Sequence, residues 1–126
     1  MIGKFRAWDE DMGHMYPAGE THIYLTSTGE CRNFQNGVRL LPLFFTGLVD
    51  KKRTVEYPKG QEIYDGDVLR QFPGFGCEWS KRIGIVKYEY ASFWIVFNKW
   101  STVLDDHDCS FEVIGNIYSN PELKTT

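Results

Sequence analysis

Apolar residues along this chain come in short runs divided by Gly, Pro and Asn, a rhythm that predicts strands and hairpins. "KFRAWD" sets Phe5 and Trp8 among small and charged neighbours and predicts a first short strand, and "EDMGHMYP" reads as a turn ending at Pro17. In "THIYLTSTGECRNF", Ile23 and Leu25 alternate with Tyr24 and Thr26, and Ser27-Thr28-Gly29 offers the turn of a hairpin that returns through Cys31 and Phe34. "GVRLLPLFFTGL" is apolar almost throughout, as a strand buried on both faces or at an interface would be. Pro42 interrupts it, and a residue with no N–H to donate belongs at an edge, a bulge or a strand start.

Residues 47–60, "GLVDKKRTVEYPKG", turn polar and charged and predict a long surface loop between two subregions, 1–50 and 61–123. Beyond it, "DVLRQF" resumes strand chemistry and "FPGFGCEWSK" connects. "RIGIVKYEYASFWIVF" predicts a hairpin turning at "EYAS", with Ile83, Ile85, Phe93, Ile95 and Phe97 on one side. "NKWSTVLDDHD" holds one helical turn or none, and "SFEVIGNIY" is a closing strand before a polar tail. Seven or eight short strands with almost no helix define an all-β, antiparallel domain, either a small barrel or a pair of packed sheets.

Composition narrows the picture. The 126 residues suit one domain, and an aromatic share of 16% favours strands. A net charge of −3 gives no field that argues for a polyanion partner. Cys31, Cys77 and Cys109 are odd in number and form no C-x-x-C, which suits a reducing compartment. With no apolar run of signal-peptide or membrane-span length, the expectation is a soluble, cytoplasmic protein.

Two clusters invite chemistry. In "EIYDGDVLR", Asp65-Gly66 supplies a turn, with Asp67 capping it as Val68 and Leu69 enter a strand. The competing reading, a hard cation on Asp65, Asp67 and Glu62, lacks the ligand spacing of a calcium loop. "DDHDC" places Asp105, Asp106, His107, Asp108 and Cys109 side by side, but contiguous ligands do not converge easily on one ion, and His14 and His22 stand far off in sequence. An acidic surface loop is the simpler reading. Cys109 with His107 has no identifiable orienting group or oxyanion hole, so no catalytic, cofactor or metal residue is assigned.

For binding, Lys51, Lys52, Arg53, Lys59, Lys81 and Arg82 stand near Tyr57, Phe75 and Trp79 in sequence. Such a set would track a phosphate backbone and stack bases if it were exposed together. Against that, loop charges are commonly just solvated. The run Leu40 to Leu48 and the many large aromatics favour protein contacts, self-association through a strand edge among them.

The ordered set "KFRAWD", "FTGLVDKK", "EIYDGDVL", "GIVKYEYASFWI" and "FEVIGNIYSNPEL" resembles the YopX family of small proteins of bacteriophages and prophages, from residue 4 to residue 123. The chain departs from the family's usual spacing where "RTVEYPKGQ" replaces a short turn. The resemblance implies a β-rich fold, N-terminal strands packed on a C-terminal SH3-like barrel, action inside the bacterial host, and no catalytic residues to carry over. Phe5, Trp8, Phe45, Leu48, Ile63, Tyr64, Ile114 and Ile117 then read as packing positions, and Gly47, Gly66, Asp67, Gly115 and Asn116 as turn or bulge chemistry. The resulting expectation is a single domain, 1–126, of a non-enzymatic phage or prophage accessory protein. It would bind host or phage protein or its own copies, without cofactor or membrane. The alternative is a nucleic-acid-binding small β-barrel.

Overall fold

The structure, a computed structural model, describes residues 4–71, 82–104, 111–123 and 125. Eleven strands and no helix lie among them, and no helix there is long and apolar enough to cross a membrane. The strands are β1 (Phe5–Asp9), β2 (His14–Tyr16), β3 (Ile23–Leu25), β4 (Cys31–Asn33), β5 (Arg39–Val49), β6 (Glu62–Tyr64), β7 (Asp67–Gln71), β8 (Ile83–Glu89), β9 (Ser92–Val96), β10 (Ser101–Val103) and β11 (Phe111–Asn116). The chain divides into two compact units, Met1–Phe45 and Thr46–Thr126, with β5 running from one into the other.

In the first unit the strand order is β2-β1-β5-β4-β3. Ala7, Cys31 and Leu40 are its buried centre, with Phe5, Tyr16, Ile23, Leu25 and Val38 packed around them. The 14–16 stretch, expected to be turn, is instead a strand paired with β1 through Trp8 and Met15. Pro42 lies within the long β5, opposite Ala7. The amide of Phe45 donates to the carbonyl of Lys4, so residues 41, 43 and 45 turn their backbone toward β1 and Pro42 turns away from it. On that other side β4 pairs only with Arg39 and Leu40, so the ladder has ended where a proline N–H would be wanted. The proline is tolerated because β5 is locally an edge.

In the second unit, β6 pairs with the end of β5, and the Thr46 hydroxyl donates to the carbonyl of Ile63 at 2.8 Å. The remaining strands form the order β10-β9-β8-β7-β11, a four-strand meander, β7 to β10, with a fifth strand, β11, added beside β7. All pairs are antiparallel. Neither sheet closes on itself among the described residues, so the SH3-like barrel implied by the resemblance is not formed by these ladders. Ile63, Leu69, Val86, Ile95, Phe97 and Leu104 are the core, with Leu48, Phe93, Phe111 and Val113 against it.

The hairpin lies where its sequence places it, with a two-residue turn at Tyr90 and Ala91, whose φ values of 51° and 60° suit a type I′ turn. Its inward set differs from the expectation. Val86 pairs with Ile95 and both are buried, whereas Ile85 pairs with Val96 on the opposite face. Gly84 lies on the inward face, where an added Cβ would sit 2.6 Å from Ile95. The absent side chain leaves that space to Ile95 and Phe97, so the isoleucines of β8 face the other way.

The Asp-Gly-Asp stretch is a turn. The buried Asp67 carboxylate accepts the Tyr64 amide at 2.8 Å, and Gly66, at φ +87°, donates to Val86 and accepts from Ile117. Gly47 has the same φ of +87° with nothing within 4 Å of an added Cβ, whereas at Gly66 that atom would lie 2.7 Å from the Tyr118 ring. The pair separates backbone strain from close approach. Gly47→Ala should lower stability by about 1–2 kcal/mol, the left-handed cost alone, and Gly66→Ala by about 2–4 kcal/mol because the Tyr118 ring must also move. Urea midpoints of the two variants check the order, and equal losses would refute the contact.

Candidate functional site

The site is a cleft of about 510 Å³ in the second unit, beneath the polar segment 51–61 and beside β7 and β11. Its lining includes Asp50, Lys52, Tyr57, Gln61, Arg70, Glu112 and Ile114. The 51–59 stretch is exposed throughout, yet it is tied at both ends. Asp50, only 4% exposed, accepts the Gln61 amide at 2.9 Å and the Val113 amide at 3.0 Å, one on each carboxylate oxygen. Its own amide donates to the Gln61 carbonyl, and the next amide, of Lys51, donates to Phe111. Arg53 closes the first turn of the segment with Nη1 on the Asp50 carbonyl at 2.8 Å.

Glu112 is the centre of charge. Register sets it directly opposite Arg70, and Arg70 donates Nε and Nη2 to Oε1 at 2.9 and 2.7 Å. Lys52 Nζ reaches the other oxygen at 2.9 Å. Burial pushes the Glu112 carboxyl up, but the hydrogen bonds and charges of Lys52 and Arg70 together outweigh it and hold the group below its usual range. The carboxylate therefore stays ionised and accepts hydrogen bonds, which is the opposite of the raised pKa a general acid needs. A β-bulge between Val113 and Gly115 leaves Ile114 as the extra residue and turns it to the cleft. Tyr57 is half-exposed on the rim; burial, then the neighbouring Glu56, raise its hydroxyl pKa.

The basic residues named from sequence do not form one patch. Lys51, Lys52 and Arg53 share the segment over the cleft, Lys52 is ion-paired and Arg53 is bonded to backbone, while Lys59 is exposed further along. Arg82 belongs to the opposite face of the sheet. Its Nε donates to Gln71 at 3.0 Å and its guanidinium lies 5.1 and 4.6 Å from the ring centres of Phe97 and Trp100. Since Arg70 and Gln71 are adjacent on β7, the Glu112 cluster and Arg82 are separated by the alternation of the strand. Lys81, Trp79 and Phe75, and the Asp105, Asp106, His107, Asp108 and Cys109 cluster, lie outside the described residues.

The cation candidates are engaged otherwise. Glu62 accepts from the Tyr64 hydroxyl, His22 bonds Glu20, and the His14 ring meets Tyr16 edge-on. Among the described residues no three His, Cys, Asp or Glu side chains are grouped to hold a metal. Sequence reading missed Asp50, Arg70 and Glu112. Asp50 carries a local signal, an acid ending an apolar run just before two lysines, but the Arg70–Glu112 pair, 42 residues apart, depends on strand register.

These features define a small antiparallel β protein with a cleft lined by paired charges. The sequence pattern of the YopX protein family matches residues 4–124, and the chain belongs to that family. No curated protein and no solved structure matches it.

Two variants test the cleft. Asp50→Ala removes the acceptor of two backbone amides and should cost about 2–4 kcal/mol, with faster proteolysis within 51–60; an unchanged urea midpoint would contradict the role. For Glu112, the folded carboxyl titrates below the unfolded value of 4.5, so its stabilisation is complete above that pH and is lost as pH falls through the lower folded value. Glu112→Gln should thus be less stable than the parent at pH 7, with the gap narrowing as pH falls below 4.5. A gap independent of pH would show that the charge contributes nothing.

Proposed function

We propose that this chain is a phage- or prophage-encoded accessory protein of the host cytoplasm that works by binding protein, its own copies included, and not by catalysis. The observation that carries this reading is the commitment of the cleft's charges. Lys52 and Arg70 hold Glu112, and Asp50 holds two backbone amides. Asp50, Glu112, Lys52 and Arg70 are thus engaged within the domain.

The surface also carries exposed apolar side chains. Val55 is fully exposed, Tyr90 is 90% exposed, and Phe34 and Met12 are each 76% exposed. Exposed aromatic side chains and Met are enriched at protein contact surfaces. The family resemblance supplies the phage setting. The reading as a nucleic-acid-binding barrel has weaker support, because Arg82 and the Lys51–Arg53 segment lie on different faces of one sheet.

Fluorescence anisotropy with labelled single-stranded DNA, duplex DNA and RNA at low and physiological salt separates the two. The expected result is no saturable binding at either salt. Saturable binding whose log affinity falls with log salt, by about 0.7–0.9 per phosphate contacted, would overturn the protein-binding reading.

A further inference from the structure

β3 ends the sheet of the first unit, and its ladder phase can be read from the bonds on either side. The Thr26 amide donates to Glu30 and the Phe34 amide to His22, so residues 22, 24 and 26 turn their backbone groups toward β4. In an antiparallel ladder the intervening residues turn theirs the opposite way. The N–H and C=O groups of Ile23 and Leu25 therefore point out along the open edge, while their side chains pack on the core. Tyr24 is on the other face, 41% exposed, with the ring of Phe34 set edge-on at 6.4 Å.

Natural edges are commonly protected by lysine, proline or a bulge. Ile23-Tyr24-Leu25 has none of these and no charge. The charges nearest in the ladder are drawn back: Arg32, opposite Tyr24, and Arg39, opposite Arg32, are both tied to Glu30 at 2.7 and 2.6 Å.

We infer that β3 is a homodimerisation edge, pairing antiparallel with β3 of a second copy about a two-fold axis at Tyr24. This names the partner and the strand within the self-association reading above. Such pairing sets Ile23 against Leu25 of the other copy, twice, so that every outward backbone group meets its complement. Two-fold pairing places like against like, which a charged strand would resist and this neutral one does not. Tyr24 faces its own copy as the close, non-hydrogen-bonded pair, Cα atoms about 4.5 Å apart, and the Tyr24 and Phe34 rings of both copies form one aromatic cluster. A ladder of three residues is small, so the dimer is reversible, with Kd of about 1–100 μM. The other short open edge of suitable phase, β10, is Ser-Thr-Val with all three side chains exposed and no aromatic at its centre, a poorer template.

The test is disulfide trapping together with light scattering. Tyr24→Cys places thiols within the roughly 4.4–6.8 Å Cα separation a disulfide spans, so mild oxidation at tens of micromolar should give mostly cross-linked dimer. The parent chain, whose described cysteine Cys31 is buried, is the reference, and Ile23→Cys, facing the core, should cross-link at least ten-fold less. Tyr24→Lys should shift the scattering mass from dimer to monomer at a concentration where the parent is dimeric. Cross-linking of Tyr24→Cys no greater than the reference, equal trapping at position 23, or trapping by Thr102→Cys instead would overturn the assignment. The anisotropy measurement bears on the class of partner and this one on the strand, so either can fail without the other.

Discussion

One buried carboxylate holds the candidate site in shape. Asp50 stands where β5 ends, and its two oxygens accept amides from Gln61, at the far end of the polar segment, and from Val113, in the last strand. Ordering a ten-residue polar segment costs on the order of 10 kcal/mol of backbone entropy if every residue is fixed, and nothing apolar in 51–60 is buried to offset it. Fastening the ends reduces what must be ordered to a closed loop. Gly60 belongs to the same fastening, since an added Cβ there would lie 2.5 Å from the Asp50 carbonyl and the chain is at φ +95°. Proximity to Asp50 requires the glycine, and the glycine lets Gln61 reach it.

The cleft's charge follows from that closure. With the start of the loop pinned at Asp50 and Arg53, Lys52 has a short reach to Glu112, whose other oxygen is already held by Arg70 from the neighbouring strand. A buried carboxylate left with one cation would be poorly compensated, and two cations without it would repel. The triad is thus an inward-looking arrangement that sets the loop against β11 and keeps the carboxylate ionised.

Much of the architecture could be read from the chain. The Asp-Gly-Asp turn, the β3–β4 and β8–β9 hairpins and the bulge at Gly115 rest on local chemistry, and the structure has them in place. β2, β6 and β10 were not legible, because three residues carry no period by which a strand can be told from a turn. The faces of β8 were misread because Gly84 looks like a weak strand residue and is in fact the gap that Ile95 and Phe97 occupy. Glu112, Arg70 and Asp50 escaped notice for a different reason. Their partners are set by strand register and loop closure, which no local pattern encodes.

The same logic bears on how the molecule meets others. Polar side chains inside the second unit are spent on backbone amides and on one another, so they are poor candidates for recognising a charged partner without first giving up an internal bond. Exposed rings and an open strand edge give up only water. Apolar surface gains by leaving water, and backbone groups along an open edge exchange water for equivalent bonds to another strand. On that comparison the proposed pairing with a second protein strand carries the smaller desolvation cost, and a second copy of the chain is present wherever the protein itself is made.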